Sequence, residues 1–159
     1  MPPGAELELY DGLRHVPPFD QDLEAAPAPA AVAELRELVG GACALLIATP
    51  EYNFSIPGQL KNALDWLSRP PHANVLVGKP VAVIGASTGM FGAVWAQAEL
   101  RKVLGAIGAS VLECELPLAL ADQAFAPDGS LLRADDRARL ARVVANLLAL
   151  GGEQQKLAA

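Results

Sequence analysis

Two short segments carry most of the residues that could do chemistry. "TPEYNFS" (Thr49–Ser55) follows an apolar run and crowds a proline, a carboxylate, a tyrosine and an asparagine together. "GASTGMFG" (Gly85–Gly92) ends a second apolar run with small residues and hydroxyls, just before a helical pattern. Ligands of open parallel sheets bind beyond the carboxyl ends of the strands, so both segments are candidate ligand contacts. The N–H groups of the second, at a helix N-terminus, are predicted to hold an anion or a polarised carbonyl oxygen.

Other reactive side chains give weaker signals. The glycine segment is not a GxGxxG motif and lacks the lysine of a P-loop, so an ordinary strand–helix turn also explains it. His15 and His72 lie in loops without metal-ligand spacing and are predicted to be surface residues, and no metal site is predicted. Cys43 and Cys114 have no CxxC spacing, and Cys43 is predicted to be reduced and buried.

Strand and helix patterns that could position these segments alternate along the chain. Continuous apolar runs predict buried strands that are covered on both faces, as in parallel sheets. Helical crossovers between them make the sheet parallel, so the predicted fold is a single α/β domain over residues 1–159. A proline-rich loop precedes the first of these helices. The predicted strands are Ala5–Tyr10, Ala42–Thr49, Pro80–Thr88 and "ASVLEC". The predicted helices are one that begins at Ala31 and is stopped by Gly40–Gly41, a segment from Pro57 to Leu67, Phe91–Ile107 and "DDRARLARVVANLLAL".

Composition restricts the partners. Apolar residues make up 52% and charged residues 19% of the 159 residues, which is typical of a globular domain. The net charge of −6 argues against nucleic acid and anionic membranes as partners. No signal peptide is recognisable, and glycines interrupt the charge-free stretch Pro80–Ala98, so a cytoplasmic protein without a membrane span is expected.

The stretch "TPEYNFSIPGQLKNALDW" resembles the signature of the NADPH-dependent FMN reductase family, flavodoxin-like flavoenzymes that include quinone, chromate and azo-dye reductases. "GKPVAVIGASTGMFGAVWAQAELRKVLGAIGASVL", "DQAFAPDGSLLRADD" and "LYDGLRHVPPFDQDLE" resemble further parts of the family, so the resemblance extends over the whole chain. It implies a flavodoxin-like, three-layer open parallel sheet.

The resemblance also implies a cofactor site. Pro50, Glu51, Tyr52 and Asn53 would lie against the FMN ring near N5 and O4, and Ser87, Thr88 and Gly89, in the loop that Gly92 ends, would approach O2 and N3. No side chain would be catalytic, because the cofactor carries the chemistry. Some residues keep a second interpretation: Asn53 as a turn former, Glu51 as a partner of a helix or subunit, and Tyr52, Trp66 and Trp95 as packing or interface residues.

The implied activity is an NAD(P)H-dependent, ping-pong reduction of quinones or similar small electron acceptors by a homodimer or homotetramer. The family normally opens with a strand, a GSxRxxSxN-type phosphate loop and a helix, whereas this chain begins with "MPPG", which resembles the tail of that helix. The expectation is therefore that the first strand–loop–helix unit is missing. A gene start assigned too late, a processed or partly recorded chain, and a truly shortened protein all remain open. The alternative function is a degenerate, non-catalytic interaction or oligomerisation module that no longer binds FMN.

Overall fold

A parallel sheet forms the centre of the fold. The computed structural model describes residues 5–24 and 27–158, and the predicted helix tail at 1–4 lies outside them. Strand β1 (Leu45–Thr49) pairs with β2 (Pro80–Ala86). On the other side of β2, β3 (Ser110–Val111) pairs with its start and β4 (Pro117–Leu118) with its end. All of these pairings are parallel, as the alternation of strands and helices predicts.

Within the described residues, five α-helices accompany the sheet, and the periodicity of apolar residues explains the longer ones. The first buries Val32, Leu35 and Val39 on one stripe, and the second begins directly after Pro57 and buries Ala63, Leu64, Trp66 and Leu67. The third begins later than its predicted start at Phe91, because Ala93 has a left-handed φ of +61°. The helices are α1 (Ala30–Gly41), α2 (Gly58–Leu67), α3 (Val94–Ile107), α4 (Ala121–Ala124) and α5 (Ala134–Ala158).

Successive residues of β2 face different layers. Val81 and Val83 belong to a core that includes the buried stripes of α1, α2 and α3. Ala82 and Ile84 face the opposite side, where they pack with Val143 and Leu147 of α5. This alternation follows from the two-residue period of a strand. It places the sheet between two helical layers, as expected. No helix in the described part of the chain is both long enough and apolar enough to cross a membrane.

Three predictions near β1 are wrong. The segment Ala5–Tyr10 forms no strand, and Leu7 and Leu9 are 63% and 87% exposed. Most of β1 is only partly buried, not covered on both faces, and Cys43 just before it is exposed. The cause is shared: within residues 5–24 and 27–158, β2 is the only strand that pairs with β1. Within the described residues, the second edge of β1 is therefore unpaired.

The predicted third strand, "ASVLEC", is interrupted. Only Ser110 and Val111 pair with β2, and the N–H of Cys114 then donates to the carbonyl of Leu112 in a turn at 2.9 Å. The chain returns to the sheet at Pro117 as β4. Both short strands therefore line the same side of β2, one at each end.

Helix α2 orders the proline-rich loop that precedes α1. The Asn62 side chain accepts a hydrogen bond from the N–H of Phe19 at 2.7 Å and donates one to the carbonyl of Pro17 at 2.8 Å. Trp66 Nε1 donates to the same carbonyl at 2.8 Å, and its ring meets Phe19 edge to face with centroids 5.0 Å apart. Trp66 is thus a packing residue, which was one of its two predicted roles.

Candidate functional site

The two segments singled out from the sequence lie side by side. Thr49, at the end of β1, is the register partner of Gly85 in β2, so both loops leave the sheet at the same edge. In the first loop, Tyr52 and Ser55 exchange two backbone hydrogen bonds of 2.9 and 3.0 Å. Asn53 and Phe54 between them have φ values of +53° and +61°, as in a type I′ turn. Asn53 therefore lies in a turn that is held by the backbone, whereas its predicted role in a turn was through its side chain, and Tyr52 beside it is 61% exposed.

Glu51 joins the first loop to the helix that follows the second. Its Oε2 accepts hydrogen bonds from the N–H groups of Trp95 at 3.0 Å and Ala96 at 3.1 Å. A carboxylate at this position satisfies orphan donors and complements the positive end of the helix dipole. Of the roles considered for Glu51, the structure shows contact with a helix. These two amides of α3 are therefore already occupied by a carboxylate of the chain, whereas the predicted anion site lies in the loop Gly85–Gly92 before them.

Backbone hydrogen bonds with the end of β4 and the turn after it hold the second loop in place. The N–H of Ser87 donates to the carbonyl of Leu118 at 3.1 Å, and Ala121 and Leu120 donate to the carbonyls of Ser87 and Gly89 at 3.0 and 3.1 Å. The backbone of the loop is therefore held on both sides of Thr88. Thr88 and Gly89 themselves are exposed at the edge of the sheet.

Gly92 is a packing position. Its φ is +58°, and a Cβ atom there would lie 2.6 to 2.8 Å from backbone atoms of Pro117, Leu118 and Ala119. Any side chain would force β4 away from the loop. Gly92 is buried, so the structure gives it a role in positioning the loop.

Gln97 is a residue of this region that the sequence reasoning missed. It is 1% exposed, and its Nε2 donates to the carbonyls of Gly92 at 3.0 Å and Ala93 at 3.3 Å. Its Oε1 accepts from the N–H of Leu116 at 3.4 Å. The signal was available, because Gln97 lies on the apolar stripe of α3 with Leu100 and Leu104, where a polar side chain needs partners inside the protein.

Exposed backbone N–H groups at this edge remain available to a ligand. Those of Asn53, Thr88 and Gly89 have no hydrogen-bond acceptor within the described part of the chain. The N–H groups of Tyr52 and Ser87 are already donated to Ser55 and Leu118, and a proline such as Pro50 has none to donate. The structure thus brings the predicted residues together and leaves exposed amides, those of Asn53, Thr88 and Gly89 among them, free to donate. No group of metal-ligating side chains occurs among the described residues.

Exposed aromatic rings flank the two loops. Trp95 meets Phe54 and Phe91 edge to face, with ring centroids 5.3 and 5.0 Å apart. Phe54 is 72% exposed and Phe91 62% exposed. Aromatic pairs of this geometry stabilise one another beyond the area that they bury. They give the edge an apolar surface next to the exposed free amides.

Comparison with protein families supports the family resemblance found in the sequence. The model of the family described as "NADPH-dependent FMN reductase" matches residues 1–123. An NAD(P)H-dependent FMN reductase of Pseudomonas aeruginosa is 45% identical over 140 residues, which cover 87% of this chain and 74% of that protein. A quinone reductase of Escherichia coli is 39% identical over 112 residues, which cover 70% of this chain and 59% of that protein. The chain therefore spans about three fifths of the quinone reductase.

A solved structure gives the same answer for the fold. The flavoenzyme NAD(P)H:(acceptor) oxidoreductase of Paracoccus denitrificans superposes with a TM-score of 0.75 at 36% sequence identity. The match covers 91% of this chain and 78% of that one. The parallel sheet with helices on both faces is thus flavodoxin-like, as the sequence indicated.

Proposed function

Because this chain belongs to the NADPH-dependent FMN reductase family, we propose that it is an FMN-containing oxidoreductase that uses NADPH or NADH to reduce quinones or similar small acceptors. NADPH and FMN are part of the family's description. The acceptor class is taken from the similar quinone reductase of Escherichia coli. A small-molecule acceptor also suits an edge that offers an apolar surface and a few backbone donors.

The observation that carries the proposal is the set of free amides at Asn53, Thr88 and Gly89. A flavin ring presents carbonyl oxygens and ring nitrogens along one edge, which suits N–H donors held by a fixed backbone. At Gly89 a Cβ atom would meet only Ser87 Oγ, 3.7 Å away, so the surface there is open to a flat ring. In this proposal Pro50, Glu51 and Tyr52 shape the first loop, and Ser87 and Gly92 hold the second.

The chemistry would belong to FMN, which when bound would supply hydride acceptance from the nicotinamide and electron transfer to the acceptor, the exchange expected of a ping-pong cycle. The protein's part is orientation and charge stabilisation. Fixed amides at the pyrimidine end of the ring would stabilise the negative charge that reduction places there. The aromatic rings around Trp95 would keep water from one side of the edge. A homodimer or homotetramer and a cytoplasmic location stay predictions from the sequence.

One helix N-terminus beside the ring site is not free to bind the phosphate of FMN. At the N-terminus of α3 the amides of Trp95 and Ala96 already donate hydrogen bonds to Glu51, and the negative charge of Glu51 would repel a phosphate. This observation favours the second candidate function, a non-catalytic module of the same fold. It would remain folded and associated with partners without binding flavin.

Substitution of Gly89 tests the ring site. Gly89→Leu places a side chain where the ring would lie, without a backbone clash, so FMN affinity should fall at least about tenfold, the effect of losing roughly 1.4 kcal/mol of binding free energy. Gly105→Leu is the matched control, because Gly105 also has open space around its Cβ position but lies in α3. Affinity is measured by quenching of FMN fluorescence, and folding of each variant by thermal unfolding.

Two outcomes separate the candidates. The reductase is supported if the protein oxidises NADPH in the presence of FMN and a benzoquinone, and if Gly89→Leu loses this activity while Gly105→Leu retains it. A folded protein that neither quenches FMN fluorescence nor oxidises NADPH contradicts it and supports the non-catalytic module.

A further inference from the structure

A cavity of about 670 Å³ lies on the α5 side of the sheet, near the ends of β2 and β4. Its residues do not include any of those assigned to the ring site. Small-molecule pockets typically measure about 300–1,000 Å³, so the cavity can hold a ligand of one or two rings. It lies between α5 and the segment Phe125–Leu131.

The interior of this cavity is apolar. Leu116, Leu118 and Leu131 form its buried floor, with exposures of 0%, 6% and 8%. Leu140 and Val144 of α5 form one wall and are only partly buried. Aliphatic surface of this kind gains free energy when an apolar group covers it.

The opposite wall is a preformed turn. Phe125 and Leu131 form an antiparallel bridge, and the N–H of Ala126 donates to the carbonyl of Ser130 at 2.8 Å. The Asp128 carboxylate accepts from the N–H of Ser130 at 2.9 Å, and this hydrogen bond holds the pKa of Asp128 below its usual value. A wall closed by its own hydrogen bonds needs little reordering when a ligand binds.

One guanidinium lies at the cavity. Arg137 Nη1 donates to the carbonyls of Leu131 at 2.6 Å and Leu132 at 2.8 Å, which aligns the side chain with the wall. Its Nε and Nη2 groups have no acceptor, and no carboxylate pairs with it, among the described residues. The neighbouring Arg133 and Arg139 differ, because both form ion pairs with Asp136.

We propose that this cavity binds an amphipathic organic anion, specifically an aromatic carboxylate of one or two rings. The rings would cover the leucine floor, and the carboxylate would take the free N–H groups of Arg137, whose planar fork suits two carboxylate oxygens. Charge complementarity selects the anion, because Arg137 keeps an unpaired positive charge beside apolar surface in a chain of net charge −6. The site is independent of the proposed reductase activity.

The probe for the test is 1-naphthoate, with the neutral 1-naphthamide as its isostere, and binding is followed by the polarisation of probe fluorescence. Ala141 lines the cavity and is exposed on α5, so Ala141→Phe should fill the cavity and weaken binding of both probes at least about tenfold. Ala138→Phe is the matched control, since Ala138 is exposed on the same helix but does not line the cavity. It should leave both affinities within about twofold.

A second pair of variants tests the charge. Arg137→Met should weaken binding of naphthoate about tenfold and change that of naphthamide little, because only the anion loses a charge-assisted hydrogen bond. Arg142→Met removes the same charge from the exposed surface of α5 and should leave naphthoate binding unchanged.

Naphthoate should bind Gly89→Leu as it binds the unmodified chain, whether or not the chain proves to be a reductase. Three results would each overturn the proposal. Naphthoate could fail to bind even at millimolar concentration, or it could bind equally to Ala141→Phe and Ala138→Phe. Arg137→Met could also weaken the binding of both probes equally.

Discussion

A single carboxylate connects the two loops of the candidate site. Glu51 leaves the end of β1 and caps the first turn of α3 through Trp95 and Ala96. The contact spans 44 residues of sequence, so it is tertiary and cannot form in an isolated helix. The position of the first loop thus depends on the helix that follows the second.

The cap predicts a stability cost. Glu51→Ala removes the acceptor of two N–H groups and should lower the free energy of unfolding by about 0.5–2 kcal/mol, as for other N-cap losses. Urea unfolding followed by far-UV circular dichroism measures the change. Glu99→Ala removes an equal charge from an exposed position of α3 and should change stability by less than about 0.5 kcal/mol. Equal effects of the two substitutions would show that the cap contributes nothing specific.

The two cysteines should differ in reactivity. Cys43 is exposed, whereas Cys114 is partly buried. Burial raises the pKa of the Cys114 thiol; nearby Arg101 lowers this pKa and Glu115 raises it. A raised pKa leaves less of the reactive thiolate at neutral pH, so iodoacetamide should label Cys43 first and Cys114 only as the pH increases. Mass spectrometry of peptides over a pH series gives both rates. Faster labelling of Cys114 at pH 7 would contradict the structure.

At the scale of elements, apolar periodicity predicted most of the fold. It predicted α1, α2, β2 and α5 because each buries a regular stripe or run against a neighbour that is present. It failed at Ala5–Tyr10, where alternation of leucine and glutamate indicates a strand but the described residues provide no strand to pair with it. Local pattern reports what a segment can form, whereas a strand exists only when its partner is there.

The candidate site was predictable in part for a similar reason. The two loops could be found because the ends of buried strands mark a ligand edge. The capping role of Glu51 was one of several that the sequence allowed. The backbone hydrogen bonds of Ser87 with Leu118 and Ala121 were not predicted. Both depend on contacts between segments far apart in sequence, which spacing does not encode.

The anchoring of the proline-rich loop to α2 gives a prediction at this scale. Asn62→Ala removes the side-chain hydrogen bonds with Phe19 and Pro17 and should destabilise the fold by about 1–3 kcal/mol. Trypsin should also cleave faster at Arg14, which lies in the released segment. Gln59→Ala, at an exposed position of the same helix, serves as the control. Unchanged cleavage at Arg14 would show that Asn62 does not hold the loop.

At the scale of the whole molecule, one edge of the sheet, that of β1, has no neighbouring strand within the described residues. β2 is flanked by β1 and by the pair β3 and β4, but β1 is flanked by β2 alone within the described residues. An open parallel edge presents N–H and C=O groups that can template another strand. Helices cover both faces of this sheet, whereas no strand covers that edge within the described residues.

Hydrogen exchange measured by NMR tests this asymmetry. Alternate amides of β1 should exchange fast because they point away from β2, whereas the amides of Val81, Ala82 and Val83 in β2 should be protected by burial and pairing. Uniform protection along Leu45–Thr49 would mean that another strand covers the edge in solution. Dilution then distinguishes a second copy of the chain from a segment of the same chain, since only the former would lose protection.

The contact between Glu51 and α3 has a consequence for protein engineering. Loops are usually exchanged between relatives one at a time, on the assumption that each is a separate module. Here a graft of Thr49–Ser55 into a chain whose helix begins at another place would leave the Glu51 carboxylate without its backbone donors. A graft of the start of α3 without Glu51 would leave two N–H groups uncapped. The two loops and the start of α3 form one transferable unit, and chimeras that respect this boundary should retain the geometry of the edge.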